Sequence, residues 1–359
     1  MEVLAYYLPQ YHPIPENDEW WGTGFTEWSS ATSGRPLFRG HAQPHLPADL
    51  GFYDLRVPEA RAAQAELAAG AGLTGFIYWH YWLGGRRLLE RPFNDVLISG
   101  EPDFPFCLAW ANHSWQRRWG DPSRYGEMLL EQTYPGEADD EAHFRYVRRA
   151  FEDPRYVRVD GRPVFFVFSP GQLPDPARFV ETWQKRAEDL GGLYLVAMLE
   201  RSDYRNHVAD GFDAAVGSAF VDHQSDPLTR LRSALINRKV LKGPKRFPYP
   251  VHYDPSVLDA IEGTTFPILA PNWDDTPRLG RRGSVAMGCE PQKFASRLRG
   301  ALHAARGLPE AEQVLIIKSW NEWGEGNYLE PDQQFGHGWL EALRSELVRV
   351  GHLPPKEIS

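Results

Sequence analysis

Two glutamates near the C-terminus, Glu322 and Glu325, have the residue type and spacing that glycoside chemistry requires. They lie in the segment NEWGEGNY, directly after the apolar run VLIIKSW. Cleavage of a glycosidic bond needs one carboxylic acid to protonate the leaving oxygen and a second carboxylate to act as base or nucleophile. Two carboxylates crowded beside indoles have pKa values that move apart, which separates the acid from the base. The same spacing is common on solvated helices, so the interpretation depends on the position after a predicted strand.

Aromatic and polar side chains also follow several other apolar runs. The chain has 13 tryptophans, and an indole face stacks on the apolar face of a sugar ring while its N–H remains available to a hydroxyl. Core packing is the alternative explanation for any single tryptophan. We expect a sugar-binding cleft whose substrate-binding residues are Tyr7, Gln10, His12, Trp20, Glu27, Trp28, Trp79, His80, Trp82, Asn112, Trp115, Arg117, Asn272, Trp273, Asp274, Asn321, Trp323 and Tyr328.

The apolar runs that precede these residues are typical of strands buried on both faces. They alternate with helical patterns, and eight strands, each followed by a helix, make a (β/α)₈ TIM barrel with its functional groups at the C-terminal strand ends. An open doubly wound sheet is the alternative, but no GxGxxG follows the first strand. The predicted strands are Val3–Leu8, Gly75–Trp79, Phe106–Ala111, Val164–Phe168, Leu193–Leu199, Ala214–Ala219, Pro267–Ala270 and Val314–Trp320.

Prolines that begin helical patterns support this α/β reading. We predict helices that begin at Pro58, Pro176, Pro255 and Pro291, because proline is favoured in the first turn of a helix. A last helix is predicted from about Trp339 to Val350.

The sequence indicates one catalytic domain, residues 1–359, with two unusual segments. Residues 9–55 form a long connection after the first strand, and loops of this length are usually functional, so we expect it at the active site. Residues 220–253, after the sixth predicted strand, carry seven Lys or Arg residues and no acid between Asp226 and Asp254. This basic segment is either a solvated excursion or a contact for an anionic glycan, a lipid-linked sugar or a membrane surface.

Composition argues against several functional classes. The 39 Lys and Arg against 48 Asp and Glu give a net charge of −9, which argues against nucleic-acid binding. Two cysteines, Cys107 and Cys289, are too few for a disulfide scaffold or a four-cysteine zinc site. No HExxH, CxxC or DxDxDG pattern occurs, so we predict no metal and no cofactor.

Targeting signals are also missing from the sequence. No apolar stretch approaches the ~20 residues of a transmembrane segment. The start MEVLAYYLPQ has no basic segment or cleavage site, so we expect a cytoplasmic protein, with export through a leader outside this sequence as the alternative. The oligomeric state is left open by the sequence.

Six blocks of the sequence, in order, resemble the WbsX-like group, which is related to glycoside hydrolase family 99, the endo-α-mannosidases. The blocks are AYYLPQYHPIPENDEWWGTGFTEW, QPHLPADLGFYDLR, GFIYWHYWLGGRRLLERP, PFCLAWANHSWQRRW, PNWDDTPR and SWNEWGEGNYLEPD, within residues 4 to 345. The resemblance implies a (β/α)₈ barrel. It also implies a retaining reaction with neither a metal nor a covalent glycosyl-enzyme.

Residue roles follow from the same resemblance. Family 99 has two glutamates in an Asn-Glu-Trp-x-Glu-Gly motif, which matches Asn321 to Gly326. By this match Glu322 is the base that takes the proton from the sugar 2-OH, and the 2-oxygen then displaces the leaving group to form a 1,2-anhydro sugar. Glu325 is the acid that protonates the leaving oxygen and afterwards the base that activates water. The route requires a trans 2-oxygen and leaving group, as in α-mannosides and α-L-rhamnosides.

One block departs from the group. Residues 111–115 read Ala-Asn-His-Ser-Trp where the group commonly reads Ala-Asn-Glu-Asn-Trp. His113 and Ser114 therefore replace a carboxylate and an amide at a predicted strand end. The choice between mannose, rhamnose and another sugar is left open by this difference.

Three functions are consistent with the sequence. The first is a retaining α-glycoside hydrolase on a manno- or rhamno-configured polysaccharide or oligosaccharide. The second is a glycosyltransferase or transglycosylase in surface-polysaccharide biosynthesis, which the absence of an export signal favours and the absence of a DxD motif in a nucleotide-sugar context opposes. The third is a non-catalytic sugar-binding barrel.

Overall fold

The computed structural model describes residues 1–118, 122–199, 207–217, 243–250, 252–254 and 261–355. The strands in this part of the chain are β1 Glu2–Tyr7, β2 Gly75–Leu83, β3 Arg86–Leu88, β4 Phe106–Trp110, β5 Trp115–Gln116, β6 Met128–Leu130, β7 Arg158–Val159, β8 Arg162–Val167, β9 Tyr194–Met198, β10 Ala214–Val216, β11 Lys245–Pro248, β12 Thr264–Phe266, β13 Ile268–Leu269, β14 Ser284–Met287, β15 Val314–Ile317, β16 Asn321–Glu322 and β17 Asn327–Tyr328.

The α-helices of the described ranges are α1 Pro15–Trp21, α2 Glu27–Thr32, α3 Pro58–Ala71, α4 Arg91–Ser99, α5 Glu137–Phe151, α6 Pro176–Arg186, α7 Thr276–Leu279, α8 Pro291–Arg306 and α9 Gly338–Arg349. Single turns of 3₁₀ helix are formed by Pro122–Arg124, Pro170–Gln172, Glu188–Leu190, Gly280–Arg282, Glu310–Glu312 and Trp323–Glu325.

A parallel sheet that curls into a nearly closed barrel forms the centre of the fold. Its strands are hydrogen-bonded in the order β12-β10-β9-β8-β4-β2-β1-β15-β13. β12 and β13 are separated only by Pro267; β12 pairs with β10, and β13 pairs with β15. This split strand connects the two ends of the sheet. The predicted (β/α)₈ barrel is confirmed.

The barrel strands are apolar on both faces because one face packs inside the barrel and the other against the helices. In β1, Tyr6 stacks on Trp79 of β2 with ring centroids 4.9 Å apart. The next residue, Tyr7, points to the opposite face, where its hydroxyl donates to Gln64 of α3 at 2.7 Å. This alternation is the ordinary geometry of a strand, and it explains why the runs lack polar positions.

Every predicted strand differs from the observed one at one end or both, and the differences are largest in the second, sixth, seventh and eighth. The eighth ends at Ile317, three residues before its predicted end at Trp320. β2 continues past Trp79 to Leu83 and forms a hairpin with β3, in which Tyr81 pairs with Leu88. The seventh strand begins before its predicted start, because β12 precedes Pro267. The sixth ends at Val216, and the last predicted residues, 218 and 219, lie outside the described residues.

Proline-initiated helices occur at three of the four predicted positions. α3, α6 and α8 begin at Pro58, Pro176 and Pro291, and the last predicted helix is α9. Residues 255–260, where the fourth was predicted to begin at Pro255, lie outside the described residues.

The two unusual segments have different outcomes. Residues 9–55 contain the short helices α1 and α2, which their weak periodicity did not predict. Of the basic segment, residues 220–242 and 251 lie outside the described residues, and β11 within it pairs in parallel with β14. Among the described helices, none is long and apolar enough to cross a membrane.

Candidate active site

A pocket of about 510 Å³ lies at the C-terminal end of the barrel. Its wall comes from residues that follow β1, β4, β8, β13 and β15 and from the end of β2, which is where a TIM barrel carries its functional groups. The lining residues are Leu8, Gln10, Asn17, Trp21, Trp79, Tyr81, Ala111, His113, Ser114, Trp115, Gln116, Arg118, Leu129, Phe168, Ser169, Gln172, Arg278, Lys318, Glu322 and Glu325.

Glu322 and Glu325 enter this pocket from a tight loop after β15. Strands β16 and β17 close the loop as an antiparallel pair, with Glu322 opposite Asn327. The Ser319 hydroxyl accepts a hydrogen bond from the Glu322 amide at 2.9 Å and donates to the Asn327 carbonyl at 2.7 Å. The loop therefore presents both carboxyls to one pocket.

Close neighbours leave no room for a side chain at either glycine of this loop, Gly324 or Gly326. Gly326 has a φ of 56°, a conformation that side chains disfavour, and a Cβ there would lie 2.8 Å from the Asp274 amide nitrogen. A Cβ on Gly324 would overlap the Glu27 carboxylate and lie 2.8 Å from Arg278 Nε. The motif is thus shaped by residues from distant parts of the chain.

Arg278 of α7 connects three carboxylates at the pocket. Its Nε and Nη2 donate to Glu27 Oε1 at 3.0 and 2.7 Å. Its Nη1 donates to Glu325 Oε1 at 2.7 Å and lies 3.5 Å from Glu322 Oε1. Lys318 Nζ lies 3.6 Å from Glu325 Oε2. Two cations therefore face three carboxylates, and one bound proton makes the cluster neutral.

Glu27 belongs to this cluster without lining the pocket. It is fully buried, and Gln10 Nε2 donates to its Oε2 at 3.1 Å. Burial raises the pKa of Glu27, and Arg278 opposes that rise. Its role is to anchor Arg278. Within the described ranges, no group of three or more His, Cys, Asp or Glu residues is arranged to hold a metal ion.

The two pocket glutamates differ in proton affinity. Burial, followed by the charge of Glu325, raises the pKa of Glu322 to about 7. Burial also acts to raise the pKa of Glu325, but the charges of Lys318 and Arg278 outweigh it, so this pKa is lowered. Glu322 is therefore the member of the pair that binds a proton more readily, and Glu325 is the member held in the ionised form.

Aromatic rings fix the shape of the pocket wall. Phe168 packs edge-on against Trp79 with ring centroids 5.5 Å apart. Trp115 contacts Trp20 at 5.6 Å and Tyr81 at 5.1 Å between centroids. Trp79 and Trp115, two of the three indoles that line the pocket, are therefore held in place by other rings, as a stacking surface for a sugar requires.

Two polar side chains in the wall are incompletely hydrogen-bonded. Asn17 is fully buried, and among the described residues neither its amide nitrogen nor its amide oxygen has a hydrogen-bond partner. His113 Nδ1 is also buried with no partner in the described part of the chain, and burial followed by the Arg118 charge lowers the pKa of this histidine to about 4. Since buried polar groups are nearly always hydrogen-bonded, both side chains are candidates to bind sugar hydroxyls.

Five of the residues predicted from the sequence line this pocket: Gln10, Trp79, Trp115, Glu322 and Glu325. The predicted residues on or after the first three barrel strands that do not line it are Tyr7, His12, Trp20, Glu27, Trp28, His80, Trp82, Asn112 and Arg117. Several of them point away from the pocket. In β2, for example, His80 and Trp82 point away from Trp79 and pack on His143 of α5, the former through a 2.8 Å contact between the Nε2 atoms.

Four predicted residues after the seventh and eighth strands line a different cavity. Asn272, Trp273, Asp274 and Tyr328 border a space of about 820 Å³ between the barrel loops and helices α8 and α9. Although this cavity is larger, its described lining includes neither pocket glutamate nor Arg278. The smaller pocket is therefore the candidate active site.

The remaining two predicted residues brace the catalytic loop. Asn321 accepts from the Leu8 amide at 2.7 Å and donates to the Leu8 carbonyl at 3.1 Å. Trp323 stacks on Tyr328 with centroids 3.8 Å apart and donates to Glu330 Oε2 at 2.6 Å. These contacts attach the loop to β1 and to the chain that follows it.

Sequence reasoning missed Arg278, Lys318, Tyr81 and Asn17 as pocket residues. Arg278 does lie in the block PNWDDTPR, whose Asn, Trp and first Asp were chosen instead. Tyr81 was available from the alternation of β2, because it shares a face with Trp79. No local pattern marked Asn17.

Comparison with known proteins defines the family. The family model described as Glycosyltransferase WbsX matches residues 3–343. The chain belongs to the WbsX family. WxcX proteins from two strains of Xanthomonas campestris pv. campestris are 39% identical to this WbsX-family chain over 354 residues, which is 97% of its length. The match covers 50% of each relative, so the chain spans about half the length of these curated proteins.

Solved structures with this fold include glycoside hydrolases. A family 99 endo-α-mannosidase from Bacteroides thetaiotaomicron has a TM-score of 0.61 and 14% identity, with 98% of both chains covered. A glycoside hydrolase-like protein has a TM-score of 0.59 and 15% identity, with 96% of this chain and 93% of its own covered. At these identities the likeness establishes the fold of the WbsX-family chain. The resemblance to the WbsX-like group found in the sequence is confirmed.

Proposed function

We propose that this WbsX-family protein is a retaining α-glycoside hydrolase that acts on a manno- or rhamno-configured polysaccharide or oligosaccharide. The observation that carries the proposal is the Glu322–Glu325 pair at a barrel-end pocket. One carboxyl of the pair binds a proton near neutral pH and the other is ionised. Acid–base cleavage of a glycoside requires this combination.

In the proposed reaction the two glutamates act in sequence, with the roles that the resemblance to family 99 implies. Glu322 takes the proton of the sugar 2-OH while the 2-oxygen attacks the anomeric carbon. Glu325 gives its proton to the leaving oxygen, and a 1,2-anhydro sugar forms. Glu325 then removes a proton from water, which opens the epoxide, and Glu322 returns its proton to the 2-oxygen. Two inversions at the anomeric carbon give net retention.

This route selects the substrate configuration. The 2-oxygen and the leaving group must be trans so that one displaces the other from the opposite side. α-Mannosides and α-L-rhamnosides meet this condition, whereas α-glucosides, with an equatorial 2-OH, do not. Asn17 and His113 are the wall residues that we expect to distinguish among the sugars that remain.

The surroundings of the pair support participation of the 2-OH. A conventional double displacement needs a carboxylate nucleophile at the anomeric carbon. Among the described residues that line the pocket, the carboxylates are Glu322 and Glu325. Glu27 is engaged by Arg278 and Gln10. Asp274 accepts from Gln43 at 2.7 Å and contacts His41 at 2.6 Å outside the pocket.

The description of the matching family favours a second candidate function. A glycosyltransferase or transglycosylase of surface-polysaccharide biosynthesis could use the same pair, with an acceptor hydroxyl in place of water. The chain spans half of WxcX, and we extend neither candidate to those longer proteins.

Incubation of the protein with α-mannan and with α-rhamnan, each with and without nucleotide sugars, distinguishes the candidates. New reducing ends without a nucleotide sugar support the hydrolase, and chain extension supports the transferase. Glycan binding with neither product indicates a non-catalytic barrel and contradicts both. The Glu322→Gln variant is the matched control, because it keeps the volume of the side chain and removes its ability to take up and release a proton.

A substrate modified at one atom tests the mechanism itself. A glycoside with a 2-deoxy or 2-O-methyl reacting sugar lacks the internal nucleophile. Loss of one hydroxyl costs only ~0.5–1.5 kcal/mol of binding, so we expect it to bind the pocket without turnover. Turnover of the 2-deoxy substrate contradicts the epoxide route.

A further inference from the structure

Arg278 holds the ionised member of the catalytic pair through one of its three nitrogens. Its Nε and Nη2 are anchored on Glu27 Oε1 at 3.0 and 2.7 Å, and Glu27 is fixed in turn by Gln10 at 3.1 Å. The contact with Glu325, at 2.7 Å, is made by Nη1. The guanidinium can therefore give up Glu325 while it keeps both hydrogen bonds to its buried anchor.

The packing around Arg278 allows this limited freedom and little more. Its side chain is only 11% exposed, and Gly324 passes so close that a Cβ would lie 2.8 Å from Arg278 Nε. Nε and the Glu27 carboxylate are therefore confined on that side. Nη1 differs, because it extends to the two glutamates that line the pocket.

This contact conflicts with the acid role of Glu325. A carboxylate that accepts a charge-assisted hydrogen bond from a guanidinium binds a proton poorly, yet an acid must carry a proton when the leaving oxygen arrives. Glu322, whose nearest Arg278 nitrogen is 3.5 Å away, is less strongly held in the charged form. The proton of the pair is therefore on the residue that the proposed reaction uses as a base.

We infer that Arg278 is a positioning residue that determines which glutamate of the pair carries the proton, and that it releases Glu325 when the leaving oxygen of a glycan takes its place. The second part of this inference rests on the proposed hydrolase function, whereas the first part concerns the protein alone. Glu27 is the positioning residue for Arg278, since it retains the guanidinium when Nη1 changes partner.

The proton transfer is balanced within the pair. The O–H bond of Glu322 breaks and an O–H bond of Glu325 forms, so Glu322 becomes the carboxylate and Glu325 the acid. Arg278 remains charged throughout, and the total charge of the cluster does not change. Both carboxyls lie near the same Arg278 nitrogen, 2.7 and 3.5 Å from Nη1, so the transfer that we infer takes place between neighbouring groups.

Other charged and titratable groups that face the pair act on the same proton. Lys318 is the second cation, and its pKa is raised because Glu325 and Glu322 outweigh the opposite effect of burial. Among the described residues, the titratable and charged groups that act on the two glutamates or line their pocket are Arg278, Lys318, Glu27, Asp275, Tyr81, His113 and Arg118.

Titration of Glu325 by infrared spectroscopy tests the inference without any enzyme activity. With ¹³C-labelled glutamate, the difference between Glu322→Gln and the double variant Glu322→Gln/Glu325→Gln isolates the carboxyl band of Glu325. We expect Arg278→Gln, added to both members of this comparison, to raise the titration midpoint of Glu325 by about 1–3 pH units. Arg278→Lys, which keeps the charge, should move it less.

Arg282→Gln is the matched control. Arg282 lies four residues further along the chain, stacks over the Tyr125 ring at 4.1 Å and donates to the Arg118 carbonyl at 3.2 Å. We expect no shift of the Glu325 midpoint in this variant. An unmoved midpoint in Arg278→Gln, or an equal shift in the control, overturns the inference.

A second variant allows the same measurement if Arg278→Gln unfolds the protein. Glu27→Gln/Arg278→Gln removes the buried anion together with its cation, and a smaller upward shift is expected because loss of the Glu27 charge opposes it. Activity is scored separately: a shifted midpoint in a protein that cleaves no glycan sustains the role of Arg278 and contradicts the proposed function. Glycan cleavage with an unshifted midpoint contradicts the role of Arg278 and sustains the proposed function.

Discussion

Replacement of Gly324 by alanine tests whether the catalytic loop is shaped by the buried ion pair behind it. The added Cβ would overlap the Glu27 carboxylate and lie 2.8 Å from Arg278 Nε. Neither group has room to retreat, because Glu27 is 0% exposed and holds Arg278 through two hydrogen bonds. Alanine at this position must therefore move the loop or separate the ion pair.

The cost of Gly324→Ala follows from these two possibilities. Overpacking of a well-packed site costs ~1–3 kcal/mol, and disruption of a buried ion pair costs ~3–5 kcal/mol. We expect the free energy of unfolding to fall by about 2–4 kcal/mol, between these limits. Turnover should fall by about 10²-fold, as expected when catalytic groups are displaced by about 1 Å.

Gly70→Ala is the control for Gly324→Ala. Gly70 lies in α3, and a Cβ there meets no atom within 4 Å, so the substitution should stabilise the protein by about 0.5–1 kcal/mol. Urea unfolding and glycan-cleavage rates are measured for both variants. An unchanged unfolding free energy and full activity in Gly324→Ala would refute the proposed packing of the loop.

Three further predictions concern the pocket and its surroundings. Asn17→Leu removes two unpaired polar atoms, so it should raise the unfolding free energy by about 1–2 kcal/mol. It should also raise KM for the glycan. A stability gain without a change in KM would show that Asn17 does not bind substrate. Trp79→Ala should weaken glycan binding, measured by calorimetry, whereas Trp82→Ala should only destabilise the fold; equal binding losses would contradict the placement of the pocket. Burial raises the pKa values of Glu322 and Glu330 from 4.5 to about 7. Between pH 4.5 and pH 7 the native state therefore binds more protons than the unfolded state. The stabilisation from these two groups is lost as pH rises through 7. Each group contributes up to about 3 kcal/mol to this loss. The unfolding free energy of Glu330→Gln should therefore fall less steeply with pH than that of the unsubstituted protein. An unchanged pH dependence would contradict the raised pKa of Glu330.

The barrel could be predicted from the sequence because its strands are buried on both faces. Continuous apolar runs such as residues 314–317 are short and bounded, and their alternation with proline-initiated helices limits the possible folds. The position of Glu322 and Glu325 followed from the same reasoning, since a residue after a barrel strand lies at the functional end.

The direction of each side chain could not be predicted in the same way. The sequence interpretation ended the second strand at Trp79 and assigned His80 and Trp82 to the pocket. Because β2 continues to Leu83, alternation sends these two residues to the helix side and Tyr81 to the pocket. The end of a strand is set by its pairing with β3, which local composition does not encode.

Contacts between distant segments account for the other omissions. Arg278 meets Glu27 across 251 positions of sequence, and no periodicity relates them. Asp274 is polar, Trp273 is aromatic, and both lie a few residues before Arg278. They nevertheless border the larger cavity. Only the path of the loop after β13 decides which of these residues reaches the glutamates.

The most direct test of the central claim is the dependence of Glu322→Gln and Glu325→Gln on the leaving group. Each variant should lower turnover of a natural glycan by roughly 10²-fold or more, the scale of a lost acid–base group. The measurement compares an alkyl α-mannoside or α-rhamnoside with an aryl glycoside whose leaving group needs no proton. We predict that the aryl substrate restores the first step in Glu325→Gln and does not restore it in Glu322→Gln, which still lacks the base for the 2-OH. Equal restoration in both variants, or full activity in either, would contradict the assigned roles.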